Sequence, residues 1–301
     1  MDTFVQVKVS EPGVPRGEMK QAVDEAFELA GRLQKKFDAF DPASEVNALN
    51  IAGTKKVSRE LYGLIKEAKR ISYLTGGEFD ITVAPVMKAN GLYGNMPAEL
   101  REKVPGSFEG VGWKNVSLRL DGSIMLRKGA WVDLSGIAKG YIVDRMTGAL
   151  KGKGIEEFMI NAGGDIYCAG RGAGSSWKIG VRAPGAKGVV TALDIKGRAV
   201  ATSGDYENVV LGGDGQEKIS HIIDPVHDRA MEEVPSSVTV IAPTCAEADA
   251  FATGMMAMGG KRAIRLADTL EGVEIIVVKS PGGKMSVDYS KDAKKYVSGV
   301  K

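Results

Sequence analysis

The chain has 301 residues, with 40 Lys and Arg against 38 Asp and Glu, for a formal net charge of +2. That balance excludes the basic excess of a nucleic-acid binder, and 44% hydrophobic residues exclude a disordered chain. No run reaches the ~18 consecutive apolar residues of a membrane-spanning helix, which leaves 39 glycines, against a usual share of about 7%, as the unexplained feature.

Alternating apolar residues at Phe4, Val5, Val7 and Val9 predict an opening strand. From Gly17 to Phe40, the apolar positions Val23, Ala26, Phe27, Ala30, Leu33 and Phe37 recur every three or four residues and predict a long amphipathic helix. A second helix follows Ser58, a suitable N-cap, and ends at Gly76-Gly77. Residues 80–110 carry the Pro and Gly of APVMKANGLYGNMP and read as a long irregular loop. Strands are expected over 114–119, 123–127 and 131–134, the first two turning at Asp121-Gly122, then a helix over 137–150. The stretch 156–242 is crowded with strands; helices over 245–258 and 261–270 precede a final strand, EIIVVK. Helices clustered at both ends of a strand-rich centre predict an α+β fold, taken as one domain spanning 1–301.

Cys168 and Cys245 lie in apolar surroundings and are expected as buried free thiols. His221 and His227 have no zinc-type spacing with each other or with the thiols.

Three stretches are suited to chemistry. In TCAEADAFATGMMAMGG, Thr244 and Glu247 form a capping box that starts a helix. Asp249 and Thr253 then share one face and offer the hard oxygens that Mg²⁺ takes, beside what is expected to be a surface cleft. Taken alone, the pair is better explained by an acid near a helix N-terminus and a threonine bonded one turn back. In WVDLSGIAKGYIVDRM a strand-to-helix turn would present bare N–H groups to an anion, with Lys139 adding charge; a plain tight turn accounts for the same residues. In SHIIDPVHDR, His221 suits a general base, or a structural histidine.

Taken in order, MDTF, FDPASEVNALN, GGEFDITVAP, VDLSGIAKGYIVD, NAGGDI, TSGDYEN, HIIDP and ADAFATGMMAMG resemble the ApbE-type flavin transferases, the FAD:protein FMN transferases, from Met1 to about Val278. The resemblance implies Mg²⁺-dependent cleavage of FAD, with FMN carried to a Thr or Ser hydroxyl of an acceptor protein as a phosphoester and AMP released. FAD hydrolysis to FMN and AMP, and FAD binding without turnover, are the alternatives. By motif, it implies Asp249, Thr253 and a carbonyl near Gly136 as metal ligands. Met1, Phe40, Glu78, Phe79, Asp80, Asp133, Lys139 and Ile222 are implied as FAD contacts, and His221 as the base for the acceptor hydroxyl. Phe40 stands where the family often has Tyr, so stacking remains and a hydrogen bond is lost. The family's acceptor pattern, Asp-Gly-x-Thr-Gly-Ala-Thr, is absent, so the acceptor is expected to be another chain, a membrane redox subunit. A periplasmic or cell-surface location, with an anchoring segment ahead of Met1, is implied as well.

Overall fold

The computed structural model describes residues 3–11, 13–182, 188–204, 209–211, 218–220, 235–280 and 285–299. The elements run β1 (Val5–Val9), α1 (Arg16–Phe37), α2 (Glu45–Ala52), β2 (Thr54–Lys56), α3 (Arg59–Leu74), α4 (Ala84–Ala89) and α5 (Ala98–Arg101). A 3₁₀ turn at Trp113–Asn115 leads into β3 (Val116–Leu118), β4 (Ser123–Leu126) and α6 (Ser135–Gly152). Next come β5 (Phe158–Ala162), β6 (Asp165–Cys168), β7 (Trp177–Arg182), β8 (Val189–Ile195), β9 (Arg198–Gly204), β10 (Val209–Leu211), β11 (Lys218–Ser220) and β12 (Ser237–Ala242). The chain closes with α7 (Cys245–Met258), α8 (Gly260–Ala267), β13 (Glu274–Lys279), β14 (Ser286–Tyr289) and β15 (Val297–Gly299).

The α+β expectation holds. A seven-stranded antiparallel sheet, ordered β1-β5-β6-β9-β12-β13-β14, is buried on both faces. Val238, Val240 and Ala242 of β12 point into the main core with the helices, while Ile241 points into a second core beneath β7 and β8. Burial on both faces is why this strand reads as an unbroken apolar run. Helix α7 is the most buried of the helices: 12 of its 14 residues are buried, so it carries no polar face beyond what its site needs.

Three local expectations are corrected. Residues 131–134 pair with no strand; the side-chain amide of buried Asn50 donates to the Val132 carbonyl (2.9 Å) and accepts from its N–H (2.8 Å). One side chain thus replaces a ladder partner, and periodicity does not register such a substitution. The 80–110 segment is not irregular throughout: it holds α4 and α5 and closes its own small core of Tyr93, Met96, Leu100, Val104 and Trp131. Helix α2, capped by Ser44 accepting from the Asn47 N–H at 3.2 Å, was not anticipated as a helix separate from α1. Cys168 and Cys245 are buried free thiols as expected; burial pushes the Cys168 thiol up to about 12.

Candidate functional site

The site forms where the first turns of α6 cross α7. Gly136, Gly140 and Asp144 are spaced by four on α6, and Cys245, Asp249 and Thr253 by four on α7, so each set forms a row on one face. A Cβ placed on Gly140 would lie 2.2 Å from the Cys245 carbonyl oxygen. Glycine is therefore required there for helix-to-helix approach. A Cβ on Gly136 would lie 3.4 Å from Thr253 Oγ1 and 3.2 Å from the Phe79 ring.

Asp249 is 5% exposed, so it is buried at the helix crossing instead of lining an open cleft. Its Oδ2 accepts the Gly140 N–H at 3.0 Å. Gly136 lies one turn earlier on the same face of α6, where it faces Thr253 across the crossing. Burial, and next the negative charge of Asp165, push Asp249 up to about 7. Asp165 opens β6, is 3% exposed, and is paired with Lys139 Nζ at 2.9 Å. Burial raises the Asp165 carboxyl and Lys139 opposes that shift. Two buried carboxylates thus share the field of one ammonium, and an added cation would reverse the penalty on both. The oxygens of Asp249, Thr253 and Gly136 are the hard donors that Mg²⁺ takes, and they fit the implied ion.

The Thr244 cap of α7 is present, its Oγ1 accepting the Glu247 N–H at 3.2 Å, while the Glu247 carboxylate accepts from the Thr244 hydroxyl at 3.2 Å. Glu247 is also drawn to Arg70 Nη2 at 2.5 Å. The expected anion cradle of bare N–H groups at α6 is largely spent. Asp133 Oδ1 takes the Ser135 N–H at 2.7 Å, and the Leu134 carbonyl takes those of Ile137 and Ala138. What the turn retains toward an anion is the helix dipole and Lys139.

The remaining implied contacts fall into three local arrangements. Asp133 Oδ2 accepts from the Tyr93 hydroxyl at 2.5 Å, and the Tyr93 ring meets Phe40 edge-on at 5.7 Å. Phe40 is 37% exposed, so one face of its ring is available. Asp80 clips two loops together: Oδ1 accepts from the Thr82 N–H (2.7 Å) and hydroxyl (2.6 Å), and Oδ2 from the Trp113 N–H (2.7 Å). Burial raises its carboxyl and these bonds pull it back. Glu78 Oε1 pairs with Arg262 Nη2 of α8 at 2.6 Å. The Phe79 ring is buried and packs between Gly136 and Gly254, so it supports the site as core. Met1, His221 and Ile222 lie outside the described residues.

The motifs NAGGDI and VDLSGIAKGYIVD contain Asp165 and Asp144, yet nothing local in them gives either residue a role, and nothing local marks Tyr93. The available signal was an acid four residues beyond Gly140 on a helix that needs its other face for the core.

A family model described as the ApbE family matches residues 1–277, and the chain belongs to that family. It is 31% identical over 296 residues to the FAD:protein FMN transferase of Vibrio cholerae, covering 94% of this chain and 86% of that protein. The crystal structure of the ApbE protein from Thermotoga maritima superposes with a TM-score of 0.84 at 30% identity, covering 99% of this chain and 96% of the other. The flavin transferase ApbE from Vibrio cholerae superposes with a TM-score of 0.80 at 27% identity, covering 98% and 96%.

Proposed function

We propose that this protein transfers FMN from FAD to a Thr or Ser hydroxyl of an acceptor protein, with Mg²⁺, forming a phosphoester and releasing AMP. The observation that carries this reading is the α6–α7 crossing, where Asp249, Thr253 and the Gly136 turn converge beside Lys139. Relatives named FAD:protein FMN transferase support it.

Phosphoryl-group transfer depends on positioning and on stabilising charge at the oxygens around phosphorus. Lys139 and the dipole of α6 attract the pyrophosphate. Phe40, Asp133 and the 78–80 segment hold the flavin end, with the Phe40 face for stacking. Asp249, Thr253 and the Gly136 carbonyl would hold Mg²⁺, which when bound neutralises charge building on the phosphoryl and leaving oxygens. His221 takes the proton of the acceptor hydroxyl as its oxygen bonds to the FMN phosphorus; the anhydride P–O bond breaks and AMP departs. An acceptor in an exported membrane redox complex, and an outward location for this chain, belong to the same proposal.

The test is incubation with FAD, Mg²⁺ and a candidate acceptor, followed by mass spectrometry of the acceptor. A mass gain equal to FMN is expected, and His221→Ala should slow its appearance. Free FMN and AMP with an unmodified acceptor would mean hydrolysis instead, and retained FAD with neither product would mean a carrier.

A further inference from the structure

We infer that Asp144 is a positioning residue for the metal-binding pair: it fixes the register of α7 against α6, and with it the placement of Asp249 and Thr253. The inference rests on the reading of those two residues as Mg²⁺ ligands. The two helical rows meet in reverse order, Gly136 with Thr253, Gly140 with Asp249 and the Cys245 carbonyl, and Asp144 with the start of α7. The glycine contacts permit close approach but impose little direction. Asp144 supplies the direction. Its Oδ1 accepts the Cys245 N–H at 2.7 Å and its Oδ2 the Ala246 N–H at 2.8 Å, a fork onto two successive amides.

The fork takes the two first-turn amides that the local cap leaves over. Thr244 already caps α7, its hydroxyl accepting from Glu247 and its carbonyl accepting from Ala248 at 3.1 Å. What Asp144 adds is a tie to another helix. Sliding α7 by one residue would shift Asp249 by about 1.5 Å and turn it by about 100°, which carries its carboxylate away from Gly140. A carboxylate gripping two N–H groups at a helix start is also favoured by the helix dipole. Glu67 and Glu247 lie near enough to oppose its charge, so the geometry is held against local repulsion.

The experiment compares Asp144→Ala and Asp144→Asn with the parent chain and with Asp249→Ala. Mn²⁺ binding to FAD-free protein is followed by loss of the free-ion electron paramagnetic resonance signal. FAD affinity in EDTA is followed by flavin fluorescence. Asp144→Ala should weaken Mn²⁺ binding roughly tenfold or more, the range seen when an outer support of a metal ligand is lost. Asp144→Asn, which keeps one acceptor oxygen, should fall between it and the parent. FAD affinity should stay within about twofold in both. Mn²⁺ affinity unchanged in a folded Asp144→Ala protein, or metal and FAD affinities falling together, would overturn the inference. Should the Ala variant not fold, an Asn variant with parental Mn²⁺ affinity overturns it equally. If Asp249→Ala also leaves Mn²⁺ binding intact, the metal reading itself fails; if only Asp249→Ala abolishes binding, the positioning role alone fails.

Discussion

Replacing Asp249 with Asn should stabilise the metal-free protein at neutral and higher pH while removing its activity. Asp249 is buried and pushed up from 3.8 to about 7, first by burial and next by Asp165. The folded state therefore holds a proton between about pH 4 and pH 7 that the unfolded chain has released, so stability declines as pH rises through that window. The full shift corresponds to a ceiling of about 4 kcal/mol, at 1.36 kcal/mol per pH unit. Asparagine keeps an oxygen for the Gly140 N–H and carries no charge to bury. With roughly half the ceiling realised, about 2 kcal/mol, the variant should melt several degrees above the parent at pH 8. The gap should narrow by more than half toward pH 5 and close only near pH 4. The assay is thermal unfolding in EDTA from pH 5 to pH 8, read as the difference between the two proteins so that titrations common to both cancel. Saturating Mg²⁺ should raise the parent's Tm and leave the variant's unchanged, and FMN transfer by the variant should fall by about a hundredfold or more. Parallel melting curves across the pH range would refute the buried-charge argument.

Other substitutions probe the supports of the site. Gly140→Ala should destabilise the fold by about 3 kcal/mol, read as a sharp fall in Tm, since its Cβ would collide with the Cys245 carbonyl. Gly148→Ala on the same helix, where nothing lies within 4 Å, should gain about 0.5–1 kcal/mol by denaturant titration. Tyr93→Phe removes the donor to Asp133 and should cost about 1.5–3 kcal/mol; it should also weaken FAD binding in a fluorescence titration, and unchanged affinity would detach Tyr93 from the flavin contacts. Lys139→Met removes the ammonium paired with buried Asp165. With Lys139 about one-third exposed (34%), the loss should be about 1–3 kcal/mol by chemical unfolding, discounted for solvent screening. Cys168 and Cys245 should stay unreactive toward a thiol reagent at pH 8 until the protein unfolds, because burial raises both thiols.

Much of the site was legible because its chemistry requires local order. Thr244 and Glu247 mark the start of α7, and Asp249 and Thr253 fall on one face by helical spacing alone. Asp249 is also conspicuous as the one acid beyond the first turn of a helix built largely from Ala, Met, Phe and Gly. The anion cradle was misjudged because Asp133 and Leu134, neighbours in sequence, satisfy the amides that the turn seemed to leave bare. Residues 131–134 were read as a strand because they are apolar and buried, yet their partner is the side chain of Asn50, some 80 positions earlier. The 80–110 segment looked irregular because its helices are only 6 and 4 residues long, too short for a 3.6-residue period to declare itself.

The glycine excess separates along the same boundary. Gly76, Gly77, Gly163 and Gly164 take positive φ, a local demand of turns that the sequence states directly. Gly140 is helical, and what requires it is α7, brought alongside by the fold more than a hundred residues later in the chain. The sequence by itself determined the α+β class, the helix faces, the caps and the motif order, because each depends on neighbours within a few residues. Tertiary structure alone decided that Asp165 shares the field of Asp249, that Tyr93 holds Asp133, and that Asp144 grips the start of α7. Those contacts join segments distant in the chain, and what sets them is the burial of charge and the packing of two helices, neither of which leaves a local period to read.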